Sequence, residues 1–279
     1  MPELPMVNFG NSKIPITRLI SGGNPLCGNS HFSEALNTEM RCYFTAKNVL
    51  EYLHRLEAAG INTIQARGDF HRIMYWLELF KREGGKLHWI AQTASEMADI
   101  HSNIKVIAAA GAIGIYHHGT KTDNMWLADE IDKVEPYLKS MRDAGVQVGL
   151  GTHIPEVIDY AEDKDWDIDF YMCCLYNINR KKRESVLVAD FQADEAEEFN
   201  HDDPVQMLKR IQQTAKMCLA FKILGAGREC AAQETVQAAF KRAFDGIKPK
   251  DAVVVGMFPK HLDQITLNAG YAAELGKVR

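Results

Sequence analysis

One change of polarity recurs along this chain and constrains its fold more than any other feature. A short apolar run ends in a polar or glycine-rich turn, and a helical pattern follows. The stretch AIGIYHHGTKTD (112–123) is typical, since two histidines come directly after an apolar run. Unbroken apolar runs are characteristic of strands that are covered on both faces, as in parallel sheets. In such sheets the loops after the strands carry the chemistry, so we expect functional groups at these strand ends.

The change occurs eight times, at intervals of roughly 30 residues, the usual length of a strand–helix–strand unit. Strands that are each followed by a helix pair in parallel, with right-handed crossovers. Eight of them close most economically into an α/β fold, the (β/α)8 TIM barrel, and 279 residues suit a single domain of this kind over 1–279. An open doubly wound sheet is the alternative, but no GxGxxG motif follows the first strand.

The predicted strands are 17–23, 61–65, 87–92, 113–117, 146–151, 168–175, 218–224 and 252–256. The predicted helices are 47–59, 73–82, one ending near 110, 126–144, one beginning at Pro155, 204–216, 229–244 and 260–275. Residues 1–15 are predicted as a polar lead-in. The long loop 24–45 is either a surface excursion or a flap over the barrel mouth. An insertion of mixed charge over 178–203 is predicted as a loop or lid.

Composition argues against several classes of function. The formal net charge of −5 argues against nucleic acid as a partner, because phosphate binding leaves a basic footprint. No apolar run reaches the roughly 18 residues of a membrane span, and we expect no secretory signal. Six cysteines without a CxxC motif predict reduced thiols and a cytoplasmic location. The sequence leaves the oligomeric state open, including a homo-oligomer.

Three consecutive strand ends offer metal-binding side chains: His117 or His118, His153, and Cys173 or Cys174. Two imidazoles and a thiolate on neighbouring strands would hold a zinc-like divalent ion, with a fourth position open for water or substrate. Strand alternation admits one member of each adjacent pair, and we predict His118, His153 and Cys174. The alternative is that the cysteine fills the core and the histidines hydrogen-bond a loop or the substrate.

The turn after the second predicted strand carries Arg67, Asp69 and His71. Arg67 is a fixed-charge fork that suits a carboxylate, a phosphate or a sugar oxygen. Asp69 and His71 lie two residues apart and could pair, with His71 as an acid or base that assists His118. The alternative is a surface ion pair between Asp69 and either Arg67 or Arg72.

Lys222 lies inside the apolar strand pattern AFKIL. An unpaired buried ammonium is costly, so this side chain must reach a polar place. Facing inward near the mouth, Lys222 would be a general base or a Schiff-base lysine of lowered pKa. Facing outward, it would extend beneath a helix. We prefer the inward orientation and count Lys222 among the catalytic residues, with Arg67, Asp69, His71 and His118.

The turn Gly225-Ala226-Gly227 precedes the helix that Arg228 opens, and Gly256 ends the last predicted strand. Barrels of this kind bind phosphate at this place through backbone N–H groups. We predict that Gly225, Gly227, Arg228 and Gly256 bind a cofactor or an anionic group. The alternative is that the glycines have only steric duties in a tight turn.

The order of elements resembles the aldo/keto reductase superfamily over most of the chain. The similar segments are GINTIQA (60–66), IYHHG (115–119), GLGTHIPEVI (149–158), YNINR (176–180), KILGAG (222–227) and VVGMFPKHLDQI (254–265). The resemblance implies a (β/α)8 barrel and hydride transfer with NADP(H).

The catalytic tetrad of that family can be carried over position by position. Its Asp falls on Gln65, its Tyr on or beside Phe70 and His71, its Lys on Gln92 or Thr93, and its His on His117 or His118. A glutamine cannot tune the pKa of a phenol as the aspartate and lysine do, so only the histidine remains. Lys260 stands near the positions that contact the nucleotide phosphate, without a clear arginine downstream. The resemblance therefore implies the fold and argues against the standard reductase reaction.

The first functional hypothesis is a barrel enzyme that acts on a small polar carbonyl compound or a sugar derivative. Its chemistry, at the C-terminal mouth of the barrel, would be acid/base or metal-assisted, of the lyase, isomerase or hydrolase type. The second is an NADP(H)-dependent oxidoreductase with an altered tetrad, in which His118 donates the proton. The third is a non-catalytic relative that senses or scaffolds.

Overall fold

The computed structural model describes residues 3–183 and 197–278, and in these ranges every side chain except those of Phe70 and His71. The central part of the predicted insertion, 184–196, therefore lies outside the described residues, as does the side chain of His71. None of the described helices is long and apolar enough to cross a membrane.

A closed barrel of eight parallel strands forms the centre of the molecule and confirms the predicted fold. Two short antiparallel strands precede it, β1 (Met6–Asn8) and β2 (Pro15–Thr17). The barrel strands are β3 (Leu19–Gly22), β4 (Thr63–Arg67), β5 (His88–Gln92), β6 (Gly114–His117), β7 (Gln147–Thr152), β8 (Phe170–Cys174), β9 (Met217–Phe221) and β10 (Ala252–Gly256). They pair in chain order, and β10 closes the ring against β3. Each barrel strand overlaps its predicted run.

The described helices surround the barrel and connect successive strands. They are α1 (Glu34–Tyr43), α2 (Ala46–Ala58), α3 (Tyr75–Arg82), α4 (Ile100–Ala109), α5 (Gly119–Leu127), α6 (Glu135–Asp143), α7 (Pro155–Asp163), α8 (Asp203–Gln213), α9 (Gln233–Gly246) and α10 (Gln264–Leu275). Short helical turns lie at Pro25–Cys27, Phe70–Met74, Ile131–Val134 and Gly225–Gly227.

The polar lead-in predicted over 1–15 forms most of a hairpin below the barrel, which the sequence pattern did not predict. Phe9, between β1 and β2, is fully buried and packs on the ring of Phe170, with 4.8 Å between the ring centroids. A Cβ atom on Gly114 would approach the Phe9 ring to 2.6 Å, so only glycine leaves room for that ring. The hairpin thus closes the N-terminal end of the barrel.

Two other predicted segments are corrected. The loop 24–45 contains helix α1, which begins after Ser33, whose side chain accepts a hydrogen bond from the Leu36 backbone N–H. The single helix predicted over 126–144 is two helices, α5 and α6, joined through a turn at Ile131–Val134. Asp129 between them has a left-handed backbone (φ 58°), which interrupts the helix.

Apolar side chains fill the lower and middle parts of the barrel. The interior cluster includes Phe9, Ile20, Tyr116, Phe170 and Leu219, each at most 4% exposed. A second and larger cluster lies between the outside of the strands and the helices. Polar groups that enter the barrel are consequently concentrated at its C-terminal end, where the strand ends meet.

Candidate active site

Lys222 directly follows strand β9 and lines a cavity of 390 Å³ at the mouth of the barrel. Its backbone is left-handed (φ 57°), which is uncommon for a residue with a Cβ atom and redirects the chain at the strand end. Its ammonium group makes no hydrogen bond or ion pair with any described residue. Burial lowers the pKa of Lys222, although the Glu197 carboxylate acts in the opposite direction. A larger share of neutral, nucleophilic amine is therefore present near neutral pH than on a surface lysine.

His153 follows strand β7 and is held by a buried carboxylate. Its Nδ1 atom lies 2.6 Å from an Oδ atom of Asp123, which is fully buried in helix α5. The Thr152 hydroxyl donates to the same carboxylate, which also accepts from the His153 backbone N–H. Because Nδ1 must donate to the carboxylate, the Nε2 atom is the basic one. Burial lowers the pKa of His153, since Asp123 compensates only in part, so the ring is neutral and can accept a proton.

The structure decides which member of each adjacent pair faces the mouth. Cys174 lies on the same face of β8 as the interior residues Phe170 and Met172, whereas Cys173 faces outward beside Cys218. His117 also points outward, where its ring stacks on Tyr137 at 5.3 Å and its Nδ1 bonds the Thr122 hydroxyl. His118, the next residue, caps helix α5.

His118 lies near both His153 and Arg67, whose charges contribute to lowering its pKa. Burial is the largest cause, and the pKa of His118 falls well below its usual value. Its Nδ1 atom accepts the backbone N–H of Lys121 at 3.4 Å, so the proton of the neutral ring is on Nε2. His118 can thus donate a hydrogen bond from Nε2.

The geometry does not support the predicted metal centre of His118, His153 and Cys174. Among residues 3–183 and 197–278, no group of three or more His, Cys, Asp or Glu side chains is placed to hold one metal ion. Burial raises the pKa of the Cys174 thiol to about 12, so this thiol is protonated near neutral pH.

A buried pair that the sequence did not reveal joins His31, in the predicted loop 24–45, to Glu197, in the predicted insertion 178–203. The Nδ1 atom of His31 lies 2.7 Å from Glu197 Oε1, and Arg183 donates to the same oxygen at 2.9 Å. Burial lowers the pKa of His31 to about 4. Burial alone would raise the pKa of Glu197, but His31, Lys222 and Arg183 hold it below its usual value. A neutral imidazole thus donates to an ionised carboxylate beside Lys222.

Two of the positions that correspond to the reductase tetrad, Gln65 and Gln92, belong to a neutral hydrogen-bonded chain inside the barrel. Gln65 Nε2 donates to the Tyr116 hydroxyl at 2.8 Å, and this hydroxyl donates to Gln92 Oε1 at 2.8 Å. Burial raises the pKa of Tyr116 far above its usual value. No charge on a described residue lowers the pKa of this phenol, so the chain does not reproduce the acid of a reductase tetrad.

The polar turn after β4 is occupied by ion pairs. Arg67, the last residue of β4, has a buried side chain whose guanidinium faces Glu96 and lies 3.7 Å from Asp69. Arg72 donates to Asp69 at 3.3 Å. The predicted pairing of Asp69 with His71 concerns a side chain outside the described residues. Arg67 and Asp69 therefore lie close together at the mouth, mainly as parts of a charge cluster.

The predicted anion-binding turn follows Lys222. Ala226, Gly227 and Gly256 line the cavity, whereas Gly225 does not. Arg228 is engaged elsewhere: its guanidinium stacks 3.6 Å from the ring centroid of Phe199 and donates to the carbonyl groups of His31 and Gly225. Arg228 therefore holds the backbone at His31 against this turn. Its guanidinium does not point into the cavity.

Comparison with known proteins supports the fold and goes no further. No protein family model matches the chain, and no curated protein matches it. Membership of the aldo/keto reductase superfamily is thus not shown.

Two solved structures illustrate the likeness in fold. A truncated 3-deoxy-D-arabino-heptulosonate 7-phosphate synthase from Thermotoga maritima superposes with a TM-score of 0.53 and 12% identity, over 98% of this chain and 91% of that one. A tryptophan synthase from M. tuberculosis gives 0.54 and 10%, over 94% and 92%. At such identities the likeness shows a TIM barrel alone.

Proposed function

We propose that this chain is a lyase-type enzyme that cleaves or forms a carbon–carbon bond next to a carbonyl group, through a Schiff base on Lys222. The observation that carries the proposal is the Lys222 amine, which follows a barrel strand, lines the cavity and is unpaired among the described residues. A lysine of lowered pKa is the group that attacks carbonyl carbons in this way. The solved barrels with a similar fold include a synthase, which is compatible with this class but does not identify it.

The surrounding side chains supply the proton transfers that such a reaction needs. The neutral Lys222 amine adds to the substrate carbonyl carbon, and loss of water gives an iminium ion. His153, oriented by Asp123, removes the proton of a hydroxyl group on the β carbon. The α–β carbon bond then breaks, so that an aldehyde leaves and its electron pair forms an enamine on Lys222. Protonation of the enamine and addition of water release the second product and restore the amine.

His118 and Cys174 have supporting parts in this scheme. In this scheme the Nε2–H of His118 donates to a substrate oxygen, since Nδ1 is held by the Lys121 backbone N–H. The Cys174 thiol, protonated because of its raised pKa, is not a competing nucleophile. Both lie on strand ends that neighbour His153 in the barrel order.

Reductive trapping tests the proposal. The protein is incubated with glyceraldehyde, dihydroxyacetone, pyruvate or glyoxylate in the presence of cyanoborohydride, and the modified lysine is identified by peptide mass spectrometry. We expect preferential labelling of Lys222 and loss of this label in Lys222→Met. Turnover that persists in Lys222→Met would overturn the proposal, as would labels spread evenly over surface lysines.

Lys216 is the matched control for this experiment. It precedes the same strand, at the opposite end of the barrel, and its ammonium is paired with Glu162 at 3.3 Å. Lys216→Met should leave the labelling of Lys222 unchanged. A titration with NADPH separates the oxidoreductase alternative: tight binding together with NADPH-dependent reduction of these carbonyl compounds would favour it over the lyase.

A further inference from the structure

Two buried amide side chains in the wall of the cavity make no hydrogen bond with any described residue. Asn29 is 8% exposed and Asn268 is 5% exposed, and both line the cavity that Lys222 enters. The Oδ1 atom of Asn29 is completely shielded within the described structure and has no partner. Buried amides are nearly always paired, so two unpaired ones in a single cavity point to a ligand.

The chemistry of an amide restricts which ligand groups can pair with it. Each amide presents an N–H₂ donor and a carbonyl acceptor. A phosphate or an ionised carboxylate carries acceptors only and leaves the amide oxygen unpaired. A hydroxyl group both donates and accepts, so it can pair with whichever amide atom faces the cavity.

Three further amide side chains line the cavity. Gln65, Gln233 and Gln264 line the cavity with one amide atom each bound to the protein, to Tyr116, Tyr271 and the Phe258 backbone N–H respectively. Their other amide atoms make no hydrogen bond with the described residues.

The aromatic residues Phe221 and Phe258 and aliphatic residues such as Leu36, Val254 and Leu267 supply the apolar part of the lining. Among the described lining residues, Lys222 is the only one with a formal charge at neutral pH. A wall of amides and rings suits the hydroxyl groups and the C–H surface of a carbohydrate.

We propose that this cavity binds the hydroxylated carbon chain of a neutral polyhydroxy carbonyl compound, with hydroxyl groups on Asn29 and Asn268. The position of its carbonyl group at Lys222 rests on the function proposed above, whereas recognition of the hydroxyl groups does not. The cavity volume of 390 Å³ lies in the range of small-molecule sites.

Sugar alcohols test the hydroxyl recognition separately from the chemistry, because they have no carbonyl group. Xylitol and sorbitol at millimolar concentrations are added to the full-length protein, and binding is followed by saturation-transfer NMR. This readout avoids thermal shifts, which polyols increase non-specifically by exclusion from protein surfaces. We expect saturable binding, retained in Lys222→Met, and no competition from inorganic phosphate or succinate.

Asn29→Leu and Asn268→Leu identify the residues that bind. Each removes an amide that has no partner among the described residues, so Tm should stay unchanged or rise by about 2–4 °C, while polyol affinity falls about tenfold or more. Asn103→Leu is the matched control, because Asn103 is equally buried but fully paired, with the Ala94 N–H and the Gly68 carbonyl. It should lower Tm and leave polyol affinity unchanged.

The outcomes distinguish the two proposals. Polyol binding without trapping at Lys222 would remove the Schiff base and keep the carbohydrate site. The carbohydrate inference itself is overturned if xylitol and sorbitol do not bind, or if both leucine variants bind them normally. Preferential binding of phosphate, succinate or NADPH in this cavity would overturn it as well.

Discussion

Asp123 accepts hydrogen bonds from the His153 ring, the His153 backbone and the Thr152 hydroxyl, and it is fully buried. Asp123→Asn places an amide where these donors converge and releases the His153 ring from its tautomer. We expect kcat for carbon–carbon cleavage to fall by about 10²–10⁴ with little change in KM, as is typical for loss of an oriented base. Steady-state kinetics on a substrate found by the trapping experiment measures this.

Asp169→Asn is the control for that substitution. Asp169 is similarly buried and bonded, to Arg142, Asn11 and the Val148 backbone, but it lies at the opposite end of the barrel. It should reduce stability without the fall in kcat. Equal loss of kcat in both variants would mean that Asp123 acts only through the fold.

Two oppositely charged residues shift the pKa of the Lys222 amine in opposite directions. The charge of Glu197 raises the pKa of Lys222 and that of Arg183 lowers it, while burial sets the overall downward shift. Imine formation needs the neutral amine, so its rate rises with pH through this pKa. Glu197→Gln should therefore move the rising limb of the trapping rate to lower pH, and Arg183→Gln should move it to higher pH.

The rate of trapping by cyanoborohydride is measured on the Lys222 peptide as a function of pH. This gives the rising limb for each of the two variants. Shifts of the same sign in the two variants would contradict the electrostatic account. Arg142→Gln, at the far end of the barrel and paired with Asp167 and Asp169, should leave the profile unchanged.

Single residues at strand ends could be predicted, but their partners could not. Lys222, His153 and His118 follow apolar runs, and that pattern alone places them at the mouth. Asp123 lies 30 residues before His153, and Glu197 lies 166 residues after His31. No periodicity encodes such pairs. The one available signal for Asp123 was its position shortly after the strand-end histidines His117 and His118.

At the scale of elements, the hairpin of β1 and β2 predicts a coupling between two residues that face each other. Gly114→Ala brings a methyl group to within 2.6 Å of the Phe9 ring and should cost about 1–3 kcal/mol of unfolding free energy. Phe9→Leu leaves space and should cost a similar amount alone. Because the smaller side chain makes room for the methyl group, the double variant should be more stable than the sum of the two losses implies.

Urea unfolding of the two single variants and the double variant measures this coupling. If the losses of unfolding free energy are additive, Phe9 does not pack against Gly114 inside the barrel. Ala91→Gly, on the neighbouring strand and outside the interior cluster, is a suitable control, since its cost should simply add to that of Phe9→Leu.

The barrel strands could be predicted because apolar runs of four to six residues survive in the sequence wherever both faces are covered. The strands β1 and β2 are three residues each and partly exposed, so they carry no such run. The helix predicted over 126–144 failed for a different reason. Ile131, Val134, Leu138 and Met141 are all buried on one side at helical spacing, although two separate elements hold them.

At the scale of the whole molecule, apolar side chains fill the N-terminal part of the barrel and polar side chains lie at its C-terminal end. The hairpin and the interior cluster fill the barrel from below, and the chain of Gln65, Tyr116 and Gln92 marks the transition. Above it lie the Lys222 amine, which has no partner in the described ranges, the imidazole of His153 and the amide-lined cavity. The sequence predicts this division through the polarity change at each strand end. It cannot predict the cavity, because Asn29 and Asn268 come from opposite ends of the chain.

This arrangement buries imidazoles and makes the fold sensitive to acid. Burial lowers the pKa of His117 to about 4 and that of His31 to about 4, from 6.5. Between pH 6.5 and 4 the unfolded chain therefore binds more protons than the folded one, so stability is full above pH 6.5 and falls as the pH drops toward 4. For His117, which is 2% exposed, the loss should reach about 3 kcal/mol.

His117→Gln isolates this contribution, because it removes the titrating group from a site remote from the cavity and can still bond the Thr122 hydroxyl. Urea unfolding at pH 7, 5.5 and 4.5 should show a smaller loss of unfolding free energy on acidification in His117→Gln than in the wild type. His54→Gln, in which an exposed ring paired with Glu83 is replaced, should keep the wild-type loss. If His117→Gln keeps it too, the acid sensitivity comes from other groups, since the buried His117 ring would then titrate alike in the folded and unfolded chain.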